Sequence, residues 1–201
     1  GSLFGLSRTR SRLPLSIHQE VFTWVLKVLS KEGLVLGGRI GVDASTMEAN
    51  AALKTTVRRD TGENYRQMLG RMAKESGIES ATDEDLARMD RKRKGKTLSN
   101  KDWLSPVDPE AKITKMKDGR THLAYKPEHA VDLDTGAVVA ALVHEADKGD
   151  TSTLPKTLEA AQECLGRVTP TPPCPDDPAD LIADKGYFSR DGLKELDGGP
   201  W

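Results

Sequence analysis

The chain has 201 residues, enough for one domain with a full core and an appended segment. Residues are 36% apolar, 4% aromatic and 30% charged, so the core is modest and part of the chain lies outside it. No run of 18 apolar residues and no basic leader before an apolar stretch occurs, which argues against a membrane helix or secretory signal in this sequence and for a soluble, cytoplasmic protein.

Cys164 and Cys174 lack any CxxC or Cys/His company, so reduced thiols are expected and a zinc site is not. The opening Gly1-Ser2 and the closing Gly198-Gly199-Pro200-Trp201 read as the two ends of a fragment. The formal net charge of −1 conceals an asymmetry: residues 54–126 carry 18 Lys/Arg against 12 Asp/Glu, and residues 127–201 carry 6 against 15. A basic middle and an acidic end suggest a polyanion held by one part and cations by the other; the plainer alternative is two solvated faces.

In chain order, "RTRSR" (residues 8–12) precedes a helix for which Ser16-x-x-Gln19 reads as a capping box, with Val21, Val25, Val28 and Leu29 on one face and Gly33 as the stop. In "LVLGGRIGVDAST", Ile40 and Val42 alternate with Arg39, Gly41 and Asp43, as in a strand that sends Asp43 to the other face. Residues 54–77 read as a helix through Tyr65, Met68, Leu69 and Met72, ended by Gly77. Thr82-x-x-Asp85 opens a second short helix running into "RKRKGK" (residues 91–96). Neither has enough apolar surface to be central, so residues 54–118 read as a helical and loop excursion from the first strand.

Two strand-like runs flank Asp134-Thr135-Gly136, a hairpin signal. A cap at Asp150/Thr151/Ser152 and the spacing of Leu154, Leu158, Ala161 and Leu165 predict an amphipathic helix ending at Gly166. The prolines of "TPTPPCPDDP" forbid helix or central strand. The chain then reaches "LIAD", and Ser189 starts a last helix. Strand, helical insertion, hairpin, crossover helix and strand make an α/β fold with a mixed sheet. A right-handed crossover sets the last strand parallel to the first on its free side, with Asp184 beside Asp43.

Two carboxylates from neighbouring strands repel unless a cation lies between them, and hard oxygen donors suit Mg²⁺ or Mn²⁺. Such a site polarises a phosphodiester for in-line attack, with Gly41 and Gly186 leaving room for a bulky substrate. The bland alternative for each acid alone is a helix or turn cap. An aspartate-based phosphatase centred on Asp43 is weak, because "DAST" lacks an acid two residues on. "RKRKGK" suits sequence-independent, salt-sensitive phosphate contacts. Tyr187 and Phe188 are expected in the core rather than stacked on a base, and His122, His129 and His144 lack ligand spacing.

"IGVDASTMEANAALK", "GRTHLAYKPEHAVDLDTGAVVAA", "ADKGDTSTL" and "ADKGYFS", in that order, resemble the catalytic domain of DDE-type insertion-sequence transposases over about residues 8–190. The resemblance implies an RNase H-like fold, incomplete at the C-terminus: residues 1–33 as the remnant of a helical DNA-binding region and 34–201 as a partial catalytic domain. It implies metal-dependent cutting and joining of DNA at insertion-sequence ends, with Asp43 and Asp184 as catalytic acids and ligands of Mg²⁺ or Mn²⁺. Double-stranded DNA, transposon ends and target, is the implied partner; a homodimer is left open, and the setting implied is the bacterial nucleoid. Lys185, Arg91, Lys92, Arg93, Lys94 and Lys96 are the expected DNA contacts. The family's third acid, a Glu in a Tyr-Arg-Glu-Lys type motif, has no counterpart here, since Glu195 follows Asp184 too soon. That departure leaves the chain inactive by itself as one expectation, and a non-catalytic DNA-binding remnant as the competing function.

Overall fold

The computed structural model describes residues 11–96 and 98–201, so most of "RTRSR" and the start of the expected DNA-binding remnant lie outside the described residues. The chain divides into two compact units. The first runs to Ala44 and takes in Glu128–Leu142 and Gly149–Trp201; the second comprises Ser45–Pro127 and Val143–Lys148.

In the first unit, helix α1 (Leu15–Lys31) is followed by strand β1 (Arg39–Ala44). The helix starts one residue ahead of Ser16: Pro14, extended at φ −64°, is the N-cap and no side chain caps it, so the expected Ser16/Gln19 box does not form. Its end is as expected, with Gly33 at φ +73° and the Leu34 amide donating to Leu29 O (2.9 Å). The buried face differs from the valine stripe: Leu26 is buried and Leu29 packs on the core, whereas Val21, Val25 and Val28 are exposed. Two apolar stripes fit the same helical period, and the packing of α1 on the long helix α4 (Asp150–Val168) selects the narrower one.

Strand β1 buries Ile40 and Val42 and exposes Asp43, as alternation requires. It pairs antiparallel with the far end of β6 (Thr121–Asp132) and parallel with β8 (Asp180–Ala183). The turn from β6 to β7 (Val138–Glu145) uses Gly136 at φ +78°. Asp132, fully buried, accepts from the Leu36 (2.6 Å), Gly37 (2.9 Å) and Asp134 (3.0 Å) amides, fixing the approach to β1 against the hairpin. Helix α4 begins after an N-cap at Gly149, without the expected side-chain cap, and continues two residues beyond Gly166. Leu154, Leu158, Ala161 and Leu165 are buried with Ile40, Val42, Ala130 and Val139 in one core. Mixed pairing around β1, with an α-helical crossover to a parallel β8, is the architecture of an RNase H-like α/β fold.

The second unit shows that the middle of the chain is more than an excursion. Met68, Leu69 and Ala73 of α2 (Tyr65–Glu75) and Leu86 of α3 (Asp83–Lys92) are buried with Trp103, Ile113 and Leu123 in a core of their own. The expected helix over 54–77 is shorter than its pattern. Its first half is a 3-10 turn and a short strand, β3 (Val57–Arg58), paired with β4 (Trp103–Leu104). Adjacent Thr55, Thr56 and Val57 are β-branched and resist helix, and Gly62 at φ +71° turns the chain into the capping box of Asn64 and Gln67. Helix α3 opens on the Thr82/Asp85 box read from sequence. Strands β2 (Met47–Glu48) and β5 (Lys112–Lys115) pair antiparallel with the near end of β6.

Candidate active site at the ends of β1 and β8

The last register pair of β1 and β8 is Val42 with Ala183, and the next residues on the two strands are Asp43 and Asp184. Alternation sends both away from the face that buries Val42. Neighbouring strands lie about 4.8 Å apart, so the two acids stand at adjoining strand ends. Both acids are exposed, and each spends one oxygen locally. Asp43 Oδ1 accepts from the Ala44 amide (2.9 Å) and Asp184 Oδ1 from the Gly186 amide (2.7 Å). Asp184 therefore does cap the 3-10 turn Lys185–Tyr187, and that bond takes one of its two oxygens. Cap and ligand are compatible roles.

Two further carboxylates belong to this end of the unit. A Cβ placed on Gly186 would lie 2.7 Å from Asp150 Oδ2 and 2.9 Å from Asp184 Oδ1, so the first turn of α4 brings Asp150 beside the Asp184 turn. Glu128, fully buried, stands opposite Ala44 in the β1–β6 register, and exposed His129 stands opposite Asp43. The sequence reading missed Asp150 and Glu128 as neighbours of the site. The signal was available for Asp150, an acid at the start of the crossover helix, but not for Glu128, whose three hydroxyl donors are distant in sequence. Gly186 leaves room for carboxylates rather than for substrate. Gly41 does not serve substrate access either: its missing Cβ would fall 2.6 Å from Leu133 Cδ2, which makes it a packing glycine.

Tyr187 is buried and Phe188 exposed, so the core role expected for the pair holds for the first alone. A cleft of about 720 Å³, lined in part by Leu154, Leu158, Phe188 and Trp201, reaches Asp184; exposed Glu195 on α5 (Arg190–Leu196) lines it too. In the second unit, the basic tract divides. Arg93 pairs with Asp90 (3.2 Å) and donates to Tyr65 Oη (3.0 Å), and Lys96 lies 3.5 Å from Asp90. Arg91, Lys92 and Lys94 are exposed and have no ion-pair partner among the described residues. His122, of the three histidines set aside, pairs with Glu48 (2.6 Å).

Residues 79–201 match the family model described as Transposase DDE domain. The chain belongs to that transposase family. Neither a curated protein nor a solved structure matches it. Family membership carries with it DNA as substrate and nuclease or transferase chemistry in general, supported as a rule by divalent ions. Whether the transposase residues fit such an ion is a question of donor chemistry. Asp43 and Asp184 offer hard oxygens at adjoining strand ends, and Mg²⁺ is commonly held by one or two carboxylates together with waters and substrate phosphates. Among the described residues, no group of three or more His, Cys, Asp or Glu is arranged around one point for an ion. The donor chemistry of Asp43 and Asp184 therefore suits such an ion. No helix among the described residues is long and apolar enough to cross a membrane.

Proposed function

We propose that this transposase cuts and joins DNA at the ends of an insertion element, with Asp43 and Asp184 holding Mg²⁺ or Mn²⁺. The observation that carries the reading is the parallel register that brings these two acids to adjoining strand ends in a chain of the DDE family. The bound ion would polarise a phosphodiester and lower the pKa of the attacking oxygen. The protein's own residues hold the ion, orient the phosphate, and keep one oxygen of each acid fixed by a backbone amide. Exposed Arg91, Lys92, Lys94 and Lys185 supply backbone contacts to duplex DNA. In this reading residues 1–33 serve DNA recognition and 34–201 the chemistry.

With two acids of the expected three, the 201-residue chain binds DNA but does not cleave it efficiently, since removing one electrostatic stabiliser at a reacting centre typically costs roughly 10²- to 10³-fold in rate. The test incubates the purified chain with Mn²⁺ and labelled DNA carrying the element's ends, beside Asp43→Ala and Asp184→Ala. The expected result is binding that Mn²⁺ strengthens in the wild type and not in the variants. Wild type and variants responding to Mn²⁺ alike would overturn the assignment and leave the non-catalytic DNA-binding function. Robust cleavage abolished by both variants would retain the two acids and show that Glu195, or an acid of a second copy, completes the centre.

A further inference from the structure

Glu128 is 0% exposed, and a carboxylate removed from water must have its oxygens satisfied. Three hydroxyls donate to it. Thr153 Oγ1 lies 2.8 Å from Oε1, Thr157 Oγ1 donates to Oε2, and Tyr187 Oη lies 2.9 Å from Oε1. The two threonines sit one turn apart on the buried face of α4, and Tyr187, itself buried, is the last residue of the turn that Asp184 opens. Glu128 thus ties three elements to one point. It stands on β6 opposite Ala44, the residue after Asp43; it receives α4 where that helix brings up Asp150; and it holds the far end of the Asp184 turn.

The near end of that turn is held by the Gly186 amide on Asp184 Oδ1. With both ends fixed, the three-residue turn has little freedom. We propose that Glu128, acting through the Tyr187 hydroxyl, is a positioning residue that aims the Asp184 carboxylate at the divalent ion. The proposal rests on the reading of Asp43 and Asp184 as ion ligands. Hydroxyl donors suit the task, because each has one proton to give and a carboxylate can only accept. Burial, and then the Glu128 carboxylate, push the Tyr187 phenol well above its usual range, in keeping with its role as a donor. Partners that hydrogen-bond a ligating side chain commonly govern metal affinity by about 10- to 100-fold without touching the ion, and the Tyr187 hydroxyl acts one step further out, through the turn.

The experiment titrates the full chain with Mn²⁺ alone, reading free ion by electron paramagnetic resonance, with circular dichroism and thermal unfolding followed in parallel. Tyr187→Phe keeps the ring and removes the hydroxyl. It is expected to fold and to weaken Mn²⁺ binding by about tenfold or more. Glu128→Gln, which keeps an acceptor for Tyr187, is expected to retain more affinity than Glu128→Ala. Adding Tyr187→Phe to Glu128→Ala should cost little further, because the two act through one bond. A Tyr187→Phe variant that melts earlier but binds Mn²⁺ as the wild type does would overturn the positioning role while leaving Asp184 as a ligand. Asp184→Ala separates the two ideas: if it bound Mn²⁺ like the wild type, the ligand assignment itself would fall, and the positioning role with it.

Discussion

Single residues at this site hold more than one role, and the structure shows how each is reconciled. Asp184 is both a turn cap and a candidate ligand because a carboxylate has two oxygens, of which Gly186 takes one. Gly186 is small because Asp150 and Asp184 crowd the space a Cβ would fill. In the second unit, Tyr125 donates to Asp108, and that bond followed by burial raises the phenol from 10.0 to about 12. Since the folded-state value is raised, the stabilisation is fully present below pH 10 and is lost as pH climbs towards about 12, where the unfolded chain ionises first. The melting temperature of the wild type should therefore fall towards that of Tyr125→Phe between about pH 9 and about pH 12. A gap that stays constant across that range would mean that the Asp108 bond contributes nothing.

Among the elements, α4 carries the most, because its buried face supplies the first core and its first turns supply Thr153, Thr157 and Asp150 to the site. Leu165 is fully buried about four turns from that end. Leu165→Ala is expected to cost about 2 to 5 kcal/mol of stability, the range for a large-to-small change in a packed core. Denaturant unfolding measures that cost, and Mn²⁺ affinity under folding conditions should be unchanged. A drop in affinity comparable to that of Tyr187→Phe would show that any damage to the core loosens the site. Helix α1 behaves in the opposite way, since Val21, Trp24 and Val28 are helically spaced yet exposed, while Leu26 is buried and Leu29 packs on the core. Periodicity finds the helix and cannot say which stripe finds a partner.

For the whole molecule, charge divides as the two units do. Most of the basic excess lies in residues 54–126, within the second unit, and the acids of the candidate site lie in the first. Within the basic tract, Arg93 is bound to Asp90 and Tyr65, so its replacement should destabilise α3 rather than weaken DNA binding. Replacing Arg91, Lys92 and Lys94 together by Ala should weaken binding to all DNA sequences alike. The dependence of log affinity on log salt should flatten by about 0.9 for each phosphate that is no longer neutralised. An unchanged salt slope, read by fluorescence anisotropy, would make the tract a solvated face.

The sequence alone determined the strand bearing Asp43, the Asp134–Gly136 hairpin, the α4 core face and the strand leading into Asp184, because each is encoded by local alternation, helical period or turn chemistry. Topological rules then sufficed to place the last strand parallel to the first, and the register agrees. Only the tertiary structure decided the rest. It shortened the helix over 54–77, where Val57 and Arg58 found a partner in β4. It turned residues 45–127 into a unit with its own core, because Trp103, Ile113 and Leu123 meet α2 and α3 from far along the chain. It also gathered Thr153, Thr157 and Tyr187 around the buried Glu128 side chain. No local pattern encodes a carboxylate whose donors lie 25, 29 and 59 residues away, since only the folded chain brings them within hydrogen-bonding distance.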